Sequence, residues 1–180
     1  MVQTRKLSEI QNGEIFGIGN YEFIKLADEN GVTTAMSKDI LFSSRFGRTN
    51  NLAESTVLER MTEEILPEIE NIIGAENVLE FETDLLSLDG SAKHGVMKSK
   101  ISLPTFDFYR KNRAIFEKYK PEEWWWLATP DSTREFINDD WCVCVSPDGV
   151  IDDISYCSRG SLGVRPFWNF LSSIFVSYEE

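Results

Sequence analysis

The chain has 180 residues, 42% of them hydrophobic and 12% aromatic, which suffices to bury one sizeable core and excludes intrinsic disorder. Its net charge of −12 repels nucleic acid at long range; it either serves solubility alone or draws in basic partners, such as proteins that themselves hold DNA or RNA. No apolar run is long enough for a membrane helix, and the start MVQTRKLSEIQNGE lacks the apolar stretch of an export signal, so a cytoplasmic protein without membrane association is expected.

Residues 7–50 read as an antiparallel β region. The segments Glu14–Gly19, Tyr21–Leu26 and Val32–Ser37 are short and rich in β-branched and aromatic side chains, and Glu29-Asn30-Gly31 supplies a turn that tolerates positive φ. Tyr21, Phe23 and Lys25 alternate with Glu22, Ile24 and Leu26, so neither face of that strand is polar and it should be covered on both sides. The polar stretch 38–51 reads as a loop.

The period then changes. Leu58, Met61, Ile65, Ile69 and Ile72 recur at three- and four-residue steps, while Glu54, Glu59, Glu63, Glu64, Glu68 and Glu70 fill the remainder, the pattern of an acidic amphipathic helix. Pro67 predicts a kink or a junction of two helices, and Gly74 a stop. Residues 51–90 hold eleven carboxylates against one arginine. Such a surface either imitates a phosphate backbone or is an ordinary solvated helix face.

Residues 77–89 read as a strand and a loop, and the lysine- and glycine-bearing segment 90–100 as a flexible connection. A helix is predicted over 106–119, with Thr105 as N-cap, Asp107 in the first turn, and Phe108, Ile115, Phe116 and Tyr119 facing the core. Lys98, Lys100, Arg110, Lys111 and Arg113 form the only basic island. It either contacts nucleic-acid phosphate directly or pairs with the acidic helix across the surface.

The last third is dominated by aromatic residues. In an extended segment Trp124 and Trp126 project to one side and Trp125 to the other, where it either stacks a sugar or base or joins a second buried layer. Residues 141–156 read as a β-hairpin with SPDG as its turn, Cys142 and Cys144 sharing a face, and residues 164–178 as the final strand. Arg165, between apolar neighbours, calls for a carboxylate or a carbonyl; Asp131 and Glu135 are the candidate carboxylates.

The combination of WWWLATP, WCVCVSPDG and GVRPFW resembles a domain family of phage and Gram-positive gut-bacterial proteins whose hallmark is a WWLRSP segment followed by GVRP. FETDLLSLDG, MKSKISLPTFDFYRKN and SSIFVS resemble a phage-borne branch of it, so the likeness extends over essentially the whole chain. Ala128 and Thr129 stand where arginine and serine are usual, so any role for that arginine is missing. The tryptophan-then-arginine layout is similar, more distantly, to C-type-lectin-like and formylglycine-generating-enzyme-like domains, in which a late arginine packs inside a twisted sheet. An amidase label attached to the family gains no support from these residues.

Three cysteines, Cys142, Cys144 and Cys157, are an odd number in a chain without an export signal, which points to reduced thiols. The single histidine, His94, lies in a polar loop, so no serine or cysteine has an evident base. His94 and the cysteines reach the ligand count of a zinc site, but the C-x-C spacing is not that of a zinc knuckle. The Asp139-Asp140 and Asp152-Asp153 pairs read as turn residues. No catalytic residues, metal or cofactor are assigned. The expectation is an α+β fold: a single compact domain of antiparallel sheets with two to three helices, C-type-lectin-like in its C-terminal half, with 121–180 as an aromatic module. Two functions fit. One is a phage-borne, non-enzymatic inhibitor that binds the basic groove of a host nuclease, as anti-CRISPR proteins do, through Glu54, Glu59, Glu63, Glu64, Glu68 and the basic island. The other is a lectin-like module that binds a ligand through Trp125 and Arg165.

Overall fold

The computed structural model describes residues 3–133, 140–158 and 160–179, with the side chains of 153–156 left aside. Fourteen strands are described: β1 (Gln3–Lys6), β2 (Ile15–Ile18), β3 (Tyr21–Glu29), β4 (Val32–Ser37), β5 (Phe42–Ser44), β6 (Val78–Leu79), β7 (Phe81–Asp84), β8 (Val96–Ser99), β9 (Trp125–Pro130), β10 (Trp141–Val145), β11 (Ile151–Tyr156), β12 (Leu162–Val164), β13 (Phe167–Leu171) and β14 (Phe175–Tyr178). They build a seven-stranded sheet in the order β1-β14-β2-β3-β4-β13-β6, a five-stranded sheet in the order β11-β10-β9-β12-β5, and a separate β7–β8 hairpin. All pairings are antiparallel except that of β12 with β9. With its helices this is an α+β fold.

The β3–β4 turn forms because Asn30 (φ 53°) and Gly31 (φ 79°) both adopt the left-handed conformation that a two-residue hairpin matched to strand twist requires. The stretch 164–178 is three strands rather than one. β12 joins the five-stranded sheet, whereas β13 inserts between β4 and β6 and β14 between β1 and β2. The end of the aromatic module therefore completes the sheet begun at the other end of the chain. Residues 38–51 also contain a short strand, β5, and residues 96–99 pair with β7 instead of forming a flexible connection. Asp152 and Asp153 lie within β11, not in a turn, and Asp139 falls outside the described residues.

The acidic segment is helical but not uniform. Ser55 accepts a hydrogen bond from the Leu58 amide at 3.0 Å and starts α1 (Thr56–Arg60); a π-helical turn at Met61–Ile65 follows, then α2 (Leu66–Ile73). Val57, Met61, Ile65 and Ile69, spaced by four, are buried, together with Leu66. In a straight α-helix such steps drift by about 40° each. The wider π turn absorbs that drift, and Pro67, whose missing amide costs nothing in a first turn, sits just beyond it. The same phase change leaves Ile72 53% exposed, contrary to the expected core face. Gly74 at φ 89° ends the helix. The helix expected over 106–119 is two, α3 (Phe106–Lys111) and α4 (Arg113–Lys118), broken at Asn112, whose side-chain amide bonds the Phe108 carbonyl at 2.9 Å. Thr105 caps α3 as expected, accepting from the Phe108 amide at 3.1 Å.

Two apolar cores result. Phe16, Phe23, Phe46, Met61, Ile69, Trp126, Trp168 and Phe170 belong to one, and Ile24, Met36, Tyr109, Phe116, Trp125, Val143 and Phe167 to the other. Lys25 is buried at the edge of this packing. Its Nζ donates to the Leu7 carbonyl at 2.8 Å and to Asp28 Oδ2 at 2.7 Å, and Asp28 also accepts from Thr33 Oγ1 and Ser172 Oγ. Burial alone would raise the Asp28 pKa, but the hydrogen bonds from Lys25 and Ser172 prevail and hold it below its ordinary value.

Candidate functional site

The acidic carboxylates divide into committed and uncommitted ones. Glu64 is held by the Arg60 guanidinium at 2.9 Å, and Arg60 itself lies 4.1 Å from the Phe42 ring centre. Glu68 accepts from the Tyr21 hydroxyl; burial first, and then this carboxylate, push the Tyr21 pKa up to about 12. Glu70 pairs with Lys100 at 2.6 Å. Glu54, Glu59 and Glu63 have no cation among the described residues, and all three are exposed around one open groove of about 430 Å³ whose base includes the half-buried Leu58.

The basic island is neutralised locally. Besides Lys100, Lys98 lies 3.4 Å from Glu82, Arg110 is 2.5 Å from Asp107, and Arg113 is 3.0 Å from Glu117 while also donating to the Gly149 carbonyl. Only Lys111 has no ion pair among the described residues. Pairing, not an open phosphate-binding surface, is what the island displays, although just one of its pairs reaches the acidic helix.

The ligand-binding pair is buried. Trp124 is 38% exposed, but Trp125 is 1% exposed and packs edge-on against Tyr109, while Trp126 is fully buried in the opposite core and donates Nε1 to the Ser44 carbonyl at 2.9 Å. Arg165 is fully buried. Its partners are carbonyls: Nε meets Ser37 and Lys38, and Nη2 meets Lys38 at 2.7 Å. Asp131 is not a partner, because the strand delivers the guanidinium over the rings of Trp125 and Phe116, 5.4 and 5.8 Å away. Glu135 lies outside the described residues. Burial pulls the Arg165 pKa down to about 10, against a smaller opposing effect of Asp39.

None of the three cysteines is in a disulfide, and all are buried; burial, then Cys157, drives the Cys142 pKa far up, so it is a thiol rather than a nucleophile. His94 Nε2 meets Asn50 Oδ1 at 2.8 Å, and Asn50 in turn ties down the carbonyls of Ser132 and Trp141. Among the described residues no three His, Cys, Asp or Glu side chains gather as a metal site, and no helix is long and apolar enough to cross a membrane.

A second depression, of about 420 Å³, lies apart from the acidic groove. It runs between β7 and α3. Its walls bring Glu82, Asp84 and Asp107 around Phe106, Phe108 and Phe167, with Leu86 and Leu88 exposed beside them. The alternation Phe81-Glu82-Thr83-Asp84 was the available signal, but α3 joins the site only through tertiary packing.

Comparison with family models, curated proteins and solved structures finds no match. Surface chemistry therefore carries the functional reading.

Proposed function

We propose that this protein is a non-enzymatic inhibitor that occupies the basic, nucleic-acid-holding groove of a host nuclease, in the manner of anti-CRISPR proteins. The observation that carries this reading is the convergence of Glu54, Glu59 and Glu63, uncompensated and exposed, on a groove of the helical face. Carboxylates already paired at home must exchange one cation for another, whereas these three offer their full charge to a partner. The net charge of −12 adds long-range attraction toward a basic groove. The resemblance of FETDLLSLDG, MKSKISLPTFDFYRKN and SSIFVS to a phage-borne branch of that family supports a phage setting. The lectin-like reading loses its residues, since neither Trp125 nor Arg165 presents a surface for a sugar.

The test is affinity capture from lysate of a Gram-positive host at low salt. A nuclease should be recovered, should be released as ionic strength rises past about 0.15 M, and should be lost with Glu54→Gln, Glu59→Gln and Glu63→Gln combined. Retention of the same partner by the triple variant, or indifference to salt, would sink the proposal.

A further inference from the structure

We propose that the outer edge of β7 is a peptide-docking site, which takes an extended segment of a partner, with lysine or arginine alternating with apolar residues, as a third strand of the β7–β8 hairpin. The inference does not rest on the inhibitor reading and uses a different face of the chain.

The backbone makes the first argument. Leu85 donates its amide to the Gly95 carbonyl, so residues 85 and 95 form a hydrogen-bonded pair of the antiparallel ladder. With the register Thr83↔Met97 and Asp84↔Val96, such pairs alternate, so the amides and carbonyls of Glu82 and Asp84 point away from β8. The depression lies on that side: Glu82, Thr83 and Asp84 line it, and no β8 residue does. An edge with unanswered donors and acceptors beside a vacant cleft is the arrangement that strand addition uses.

The side chains make the second. Three carboxylates and no lysine or arginine line the cleft. Two of the carboxylates, Glu82 and Asp107, have cations of their own, but in each pair both partners are more than half exposed, so these contacts exchange readily. Phe106, Phe108 and Phe167 form an apolar wall for the side chains that alternate with the basic ones. A second copy of this chain is a poorer occupant, since pairing β7 with itself sets Glu82 and Asp84 against like charges.

The test uses the full chain and an acetylated peptide amide of alternating lysine and valine, followed by fluorescence anisotropy and residue-level hydrogen exchange. Saturable binding is expected, with exchange at the Glu82 and Asp84 amides slowed about tenfold or more. Glu82→Gln with Asp84→Asn should weaken binding about tenfold, and N-methylating alternate peptide amides, tried in both registers, should abolish it in one. The E54Q/E59Q/E63Q variant should bind the peptide normally, so loss of the nuclease partner and loss of this site are separable. No binding at millimolar peptide, binding indifferent to N-methylation in both registers, or unchanged exchange at Glu82 and Asp84 overturns the proposal, as does a β7-paired dimer that the peptide fails to displace.

Discussion

Replacing Arg165 with alanine is expected to destabilise the chain by about 3–5 kcal/mol, read as a shift in the urea midpoint at unchanged slope. Two effects combine. The carbonyls of Ser37 and Lys38 lose their donor, and the place of the guanidinium over the rings of Trp125 and Phe116 is left empty. Arg165→Met, which keeps the volume and removes the charge, should cost much less, because the desolvation that pulls the guanidinium pKa to about 10 is relieved at the same time. Because a guanidinium stays charged in folded and unfolded states alike, Arg165 adds no slope to the dependence of stability on pH. If Met costs as much as Ala, the arginine is held by its hydrogen bonds rather than by its volume.

Asp28→Ala should cost about 3 kcal/mol, again from urea unfolding. The carboxylate gathers Lys25, Thr33 and Ser172, and without it the buried Lys25 ammonium keeps only the Leu7 carbonyl. Lys25→Met should be milder, since the remaining carboxylate is partly exposed and can turn to water. Because the folded-state pKa of Asp28 is lowered, its contribution is complete above the unfolded carboxylate value of about 4 and is lost as pH falls through the folded value. The stability difference between the native chain and Asp28→Asn should therefore shrink in acid. A difference that stays constant down to acid unfolding would show that Asp28 does not titrate as described.

Local signals in the sequence specify local structure. Asn30-Gly31 specifies its turn, Thr105 its cap, and Pro67 with Gly74 the discontinuity and end of the acidic helix, because each acts within a few residues of itself. Features settled by distant partners were not readable. Nothing near Val96 announces a strand, since β8 exists through its pairing with β7; Ile72 leaves the core because of a π turn that periodicity does not encode; and Arg165 finds carbonyls on β4 and just beyond it that no spacing rule points to. At the site, the acidic helix face was legible as composition, but which glutamates remain uncommitted was not. That depended on Tyr21 and Lys100, which lie far from the helix in sequence. The cleft beside β7 was hidden for the same reason.

The placement of Trp125 and Trp126 in opposite cores has a consequence for how the molecule comes apart. One peptide bond joins the anchors of both apolar layers, so neither layer can loosen while β9 stays in place for the other. The two should melt as one cooperative unit, with calorimetric and van't Hoff enthalpies that agree, and a cut of the chain between the layers should yield no fragment that folds alone.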